Sequence, residues 1–199
     1  MMKNLSIESI LKELDFTKKK KQSKNISISK TKRFHRKKHL IEKTILKTLD
    51  DGEIIYGEQS LKRRFPVWLE RPTVDYDVYS KHPRREAREA ERALDKKFGG
   101  DFFRVQPAQH PGTFKVVSNI NEEGYADFTC PDENVPFDVI DGHRYVRLSV
   151  EKRHRRKSLS DPDYSFRHGK DRDALNRILI YERLKKNKSN KKNSKHGGR

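Results

Sequence analysis

The sequence predicts an α+β fold: a mixed β-sheet with helices packed on one face, further helices C-terminal to it, and disordered basic tails. Three observations carry this. Apolar residues make up only 32% of the 199 positions, so any core must be concentrated, and the aromatic residues fall mostly between Tyr56 and Tyr181. In and around that span, helix-period and strand-period patterns follow one another as α-β-α-β-α, then a run of strands, then helices. Residues 71–78, Arg-Pro-Thr-Val-Asp-Tyr-Asp-Val, alternate polar and apolar side chains near the end of this stretch, as a half-buried strand does.

The elements follow in order. Ile7, Ile10, Leu11 and Leu14 stand at helical spacing, a short arm cut off by a Lys/Ser/Asn linker at 17–32. Residues 36–49 form the first secure helix, with Leu40, Ile41, Ile45, Leu46 and Leu49 as its apolar stripe. Asp51-Gly52 turns the chain into a short strand, 53–56, which Gly57 ends. Residues 58–65 are helical until Pro66 stops them. The strand carrying Asp75 and Asp77 comes next. Pro83 suits the first turn of a charged helix over 83–98, buried along Ala87, Ala90, Leu94 and Phe98 and closed by Gly99-Gly100. Strand patterns follow near 101–106, 113–119, 124–130, 136–140 and 145–148. A helix over 149–158, a loop at 160–162 and a last helix over 170–184 complete the order. Trp68 and Tyr76 read as core.

The net charge of +18 is unevenly placed. Residues 17–38 hold eleven Lys and Arg and no acid, residues 185–199 hold seven more, and the rest is formally neutral. Such segments cannot bury apolar surface. The expected organisation is therefore a basic, mostly disordered arm at 1–35, a folded domain at 36–184 and a disordered basic tail at 185–199. The tails suit contact with RNA or DNA through phosphates and counterion release. With Cys130 as the one cysteine, neither an internal disulfide nor a cysteine zinc site can form. No apolar run approaches the roughly 20 residues that span a bilayer. An intracellular, cytoplasmic setting with no membrane partner is expected; the oligomeric state is not legible.

Asp75 and Asp77 point to the chemistry. On a strand they share one face, because side chains alternate. Two neighbouring carboxylates repel unless a cation sits between them, and carboxylate-held divalent metals commonly serve phosphate chemistry.

A strand ending in Gly57, a short helix, the Asp75-Tyr76-Asp77 strand and a later strand, Tyr125-Ala126-Asp127-Phe128-Thr129, together resemble the nucleotidyltransferase superfamily, which includes DNA polymerase beta and the kanamycin nucleotidyltransferases. Arg71-Pro72-Thr73-Val74-Asp75-Tyr76-Asp77 looks like the variant seen in abortive-infection (AbiEii-type) toxins and in predicted transferases of archaea and large DNA viruses. Residues 110–117, His-Pro-Gly-Thr-Phe-Lys-Val-Val, are similar to the strand those viral proteins place before the third aspartate. Lys157 and Lys170-Asp171-Arg172-Asp173 resemble the helical elements of the same group. The resemblance covers about residues 37–184. It implies that Asp75 and Asp77 hold one Mg²⁺ or Mn²⁺ and that Asp127 helps hold a second and serves as base. It also implies that Gly57 lets backbone N–H groups approach the triphosphate of an NTP substrate. Arg71, Lys62 and Arg63 are close enough in sequence to neutralise phosphate.

Two positions depart or compete. The family has Gly-Gly or Gly-Ser at the turn where this chain has Gly57-Glu58; either Ser60 supplies the hydroxyl from a shifted turn, or Glu58 points away. Asp138, also among apolar residues, competes with Asp127 as third carboxylate, and Asp127 is preferred because its segment pairs cleanly with 113–119. His35 and His39 read as a solvated face and His110 as structural. Lys157 suits phosphate contact and a surface role equally. Arg147, Arg153, Arg155 and Arg156 form a cationic patch that meets nucleic acid or solvates a helix. The expected function is metal-dependent transfer of a nucleotidyl group from an NTP to a hydroxyl acceptor, nucleic acid among the candidates. The alternative is a catalytically degenerate protein of the same fold that binds nucleic acid through its tails. A metal-dependent nuclease is a third reading of the same carboxylates.

Overall fold

The computed structural model describes residues 38–196, with side chains described to Asn187. The expected N-terminal arm, 1–35, lies outside the described residues, as does His35.

Helix α1 (Lys38–Thr48) leads to strand β1 (Ile54–Tyr56), helix α2 (Gly57–Lys62), a 3-10 turn (Val67–Leu69) and β2 (Tyr76–Tyr79). Helix α3 (Pro83–Phe98) follows, then β3 (Phe103–Pro107), β4 (Thr113–Ser118), β5 (Gly124–Thr129), β6 (Phe137–Ile140) and β7 (His143–Val146). Helix α4 (Leu148–Ser160), a 3-10 helix (Pro162–Arg167) and helix α5 (His168–His196) close the described chain. The seven strands form one mixed sheet in the order β3-β4-β5-β2-β1-β7-β6. β2 runs antiparallel to β1 and parallel to β5, and β1 runs parallel to β7.

Local chemistry sets the best-defined element. In α3, Pro83 sits in the first turn and Gly99 takes the left-handed conformation (φ 72°) that closes the helix. Its buried edge is Glu86, Ala87, Ala90, Leu94 and Phe98, which packs on β3, β4 and β5, with α1 against it. On the sheet face beneath, Val78, Ala126, Val116 and Phe128 are fully buried and Tyr76 nearly so. A second apolar cluster, Leu61, Phe65, Leu69, Ala174 and Ile178, ties α2 and the 3-10 turn to α5.

Three expectations are corrected. Asp75 precedes β2 by one residue, so only Asp77 lies on the strand. Trp68 is 67% exposed, because the 3-10 turn buries Leu69 and turns Val67 and Trp68 outward. The last helix does not stop at Leu184: α5 continues to His196, through the basic stretch expected to be a disordered tail. Lysine is a good helix former, and a helix already nucleated by buried Ala174 and Ile178 extends at little cost. Among the described residues, no helix is long and apolar enough to cross a membrane.

Candidate active site

Strand register assembles the site. Tyr56 is paired with Asp77 across β1 and β2, Asp77 with Asp127 across β2 and β5, and Asp127 with Lys115 across β5 and β4. Directly paired residues share a face. Tyr56, Asp77, Asp127 and Lys115 therefore form one row across the sheet, on the face opposite the buried Val78, Ala126 and Phe128. Asp75, two residues before Asp77, joins the row. These side chains line a cleft of about 910 Å³ whose far wall includes Arg155 and Lys157 of α4, Phe166 and Arg167 of the 3-10 helix, and Lys170 of α5.

The electrostatics of the row are those of crowded acid. Desolvation raises the Asp77 carboxyl to about 7, reinforced by the charges of Asp75 and Asp127 and opposed by Lys170. Asp77 is of intermediate exposure and lines the cleft. Desolvation also raises Asp127, while Lys115, with Nζ 3.1 Å from its Oδ2, pulls it down. Thr73 Oγ1 donates to Asp75 Oδ1 at 2.5 Å. Beside the acids, Tyr56 stacks on Tyr79 with ring centroids 3.9 Å apart, and its hydroxyl lies 3.4 Å from Thr129 Oγ1. Burial pushes the Tyr56 phenol far above its usual range, so it stays neutral.

Gly57 has φ 68° and sits against Asp77: a Cβ built on it would lie 2.2 Å from Asp77 Oδ2. Both the backbone and the contact require glycine. Its N–H donates to the buried carboxylate of Glu151 at 2.5 Å. Glu151 also accepts from Arg155 Nη2 (3.1 Å), whose Nη1 donates to Asp171 (2.9 Å), which accepts from Ser158 as well (2.6 Å). This chain of charges pins α4 and α5 behind the Gly57 turn.

The Gly57-Glu58 departure has a structural account. Glu58 receives both Nη1 and Nη2 of Arg177, at 2.7 and 2.8 Å, in a two-pronged ion pair that Arg177 shares with Asp173. The carboxylate is committed to α5.

Other sequence-chosen residues are placed elsewhere. Ser60 is fully buried, its hydroxyl donating to Val146 O and accepting from Arg64, and it does not line the cleft. Arg71 is exposed and outside the cleft lining. Lys62 pairs with Glu42 and Arg63 with Asp141. Asp138 lies on β6, at the far edge of the sheet, paired with Arg64 and Arg147. The supposed patch of arginines is mostly neutralised: Arg147 by Asp138, Arg153 by Glu133, and Arg155 within its buried network. Sequence reasoning missed Tyr56, Glu151, Phe166 and the pairing of Lys115 with Asp127. Register alone would have found Lys115, which stands opposite Asp127 once 113–119 pairs with 124–130.

The donor set suits a hard divalent cation, being all oxygen and carrying charge that only a cation relieves. Its present arrangement is not a finished cage. Among the described residues no three His, Cys, Asp or Glu side chains stand as a ligating group, and Lys115 is the cation paired with Asp127.

No protein-family model matches the sequence, and no curated protein matches it significantly. Among solved structures the chain is similar to the Megavirus polyadenylate synthase, with a TM-score of 0.63 at 18% identity, over 92% of this chain and 39% of that one. The chain thus spans well under half the length of that protein. JHP933 from Helicobacter pylori is also similar, with a TM-score of 0.39 at 14% identity over 72% and 61% of the two chains. The likeness to the polyadenylate synthase shows the fold alone: a mixed seven-stranded sheet with helices.

Proposed function

We propose that this chain is a metal-dependent nucleotidyltransferase acting from an NTP onto a hydroxyl acceptor, with nucleic acid the favoured acceptor class. One observation carries the reading: Asp75, Asp77 and Asp127 line one cleft, with Asp77 and Asp127 side by side in register. The resemblance of residues 71–77 to the AbiEii-type and viral-archaeal variant adds to it, as does the polyadenylate synthase fold.

In this reading Asp75 and Asp77 would hold Mg²⁺ or Mn²⁺, and Asp127, now paired with Lys115, would help hold a second ion. Bound metal supplies charge stabilisation for both attacking and leaving oxygens. The acceptor oxygen forms a bond to the α-phosphorus, the bond from that phosphorus to the bridging oxygen breaks, and pyrophosphate leaves. Asp127 takes the acceptor's proton. Lys115 and, across the cleft, Lys170 would neutralise phosphate oxygens, with Arg167, paired to Asp171 at 3.8 Å, beside them. Phe166, 81% exposed at the mouth, offers a ring face to a base. In this reading the Ser60 hydroxyl stays on Val146 O, Arg71 stays outside the cleft lining, and the Gly57 N–H reaches phosphate only if Glu151 releases it.

The Glu151–Gly57 contact favours a second reading, a degenerate transferase fold that binds nucleic acid without chemistry. It fills the backbone donor that a triphosphate would seek. Incubation with each labelled NTP, Mg²⁺ and total RNA separates the two. The transferase reading expects label in RNA with the wild type and none with Asp75→Ala/Asp77→Ala. No label with any NTP would leave the second reading standing.

A further inference from the structure

We propose that the arginine-lined groove between the start of α3 and the edge of β4 is a docking track for single-stranded nucleic acid, leading over a rim at Cys130 into the aspartate cleft. The groove has a volume of about 550 Å³, and its lining includes Arg84, Arg85, Arg88, Arg92, Phe114 and Cys130.

The helix has no structural use for this stripe. Arg84, Arg88 and Arg92 stand four residues apart on one exposed face, and like charges at that spacing each weaken a helix by roughly 0.2–0.5 kcal/mol. Arg85 is paired with Glu86, which is buried behind the groove, at 2.6 Å, and Glu89 is the one acid in the lining. Arg88 and Arg92 form no ion pair among the described residues. The two span about 6 Å along the helix, and Arg84 extends the row to about 12 Å, which suits successive phosphates of an extended strand.

Aromatic chemistry selects a single strand. Phe114 is partly exposed at the groove floor, with the Arg84 guanidinium 6.0 Å from its ring centroid. A ring and planar guanidinium groups beside a row of cations form a stacking platform for unpaired bases.

Continuity gives the track its direction. Cys130 lines both the groove and the cleft and follows Asp127 by three residues. Gly112 lines the groove, and its neighbour Thr113 lines the cleft. A strand held on α3 therefore has one residue between it and the cleft that holds the carboxylates. The purpose of the track rests on the transferase reading; binding itself does not.

Cys130 is the only cysteine in the chain and is exposed, so it reports occupancy directly. The full-length protein is alkylated with N-ethylmaleimide, without NTP or metal, with and without a saturating 20-mer of uridylate. The expected result is several-fold slower alkylation in the wild type and in Lys96→Glu/Lys97→Glu, which makes the same charge change at the far end of α3. Arg88→Glu/Arg92→Glu should lose the protection. Arg88→Gln/Arg92→Gln, which adds no new charge, should lose most of it and lower the salt slope of binding by roughly 1 to 2. An unchanged rate at saturation, protection that survives in the Arg88/Arg92 variants, or equal protection by polyglutamate overturns the proposal. Asp75→Ala/Asp77→Ala should stay protected. Protection without nucleotidyl transfer would thus sink the catalytic reading alone, and transfer without protection would sink the track alone.

Discussion

Asp77 leaves no room for a side chain on Gly57. A methyl group there would lie 2.2 Å from Asp77 Oδ2, and the left-handed backbone at Gly57 disfavours any L side chain independently. Gly57→Ala should therefore lower stability by about 2–4 kcal/mol, combining the left-handed cost with overpacking. In a chain of this size that is a fall of about 4–16 °C in Tm by calorimetry. It should also displace the Asp77 carboxylate and lower any transferase activity more than it lowers Tm at working temperature.

The Glu58–Arg177 pair should behave as buried charge. Both side chains are about nine-tenths buried, and they link α2 to α5 across 119 residues. Arg177→Met leaves Glu58 without its cation and should cost about 3–5 kcal/mol in urea unfolding. Glu58→Met/Arg177→Met should recover much of that loss. A double variant as unstable as the single would show that the pair is not what Arg177 contributes.

Asp77 gives the metal-free protein a pH dependence. Its carboxyl is raised from the usual value to about 7, so the folded state binds more protons than the unfolded one between those two values. The stability it contributes is present below the unfolded value and is lost as pH rises through about 7, on the order of a few kcal/mol. Glu53, also raised to about 7 by burial, adds a slope of the same sign. In EDTA, Tm should fall from pH 5.5 to 8.5, and Asp77→Asn should remove part of that fall and leave the Glu53 part.

Glu151→Gln keeps the shape of the contact to Gly57 but removes the charge facing Arg155. The two donors use different oxygens of the carboxylate, and glutamine has only one, so one of them loses its acceptor and meets an NH₂. Stability should drop by about 1–3 kcal/mol, and NTP affinity should rise if the carboxylate is what bars a triphosphate from the turn. Fluorescent-NTP titration checks the second effect. Unchanged affinity would mean that phosphate does not approach Gly57.

Where the fold was legible, local chemistry was strong. Pro83 and Gly99 bracket α3 because both residues act on their own backbone, whatever surrounds them. The alternation around Asp77 was legible because it is local; that Asp127 would stand beside it was an expectation from the family resemblance, and the register of β2 and β5 places the two side by side. What stayed hidden depends on distant partners. Glu58 reads as an intruder at a phosphate site until Arg177 is brought to it by α5. Ser60 reads as a phosphate donor until the neighbouring strand presents Val146 O to its hydroxyl. Trp68 reads as core because hydrophobicity does not say which way a 3-10 turn faces.

Titration with Mn²⁺, followed by loss of the free-ion EPR signal, tests the central claim most directly: that these carboxylates converge to hold divalent ions. The wild type should bind Mn²⁺, and Asp77→Asn should lose that binding. Asp127→Asn should keep one ion and lose the other. Equal Mn²⁺ uptake by the wild type and Asp77→Asn, or none by either, would contradict it.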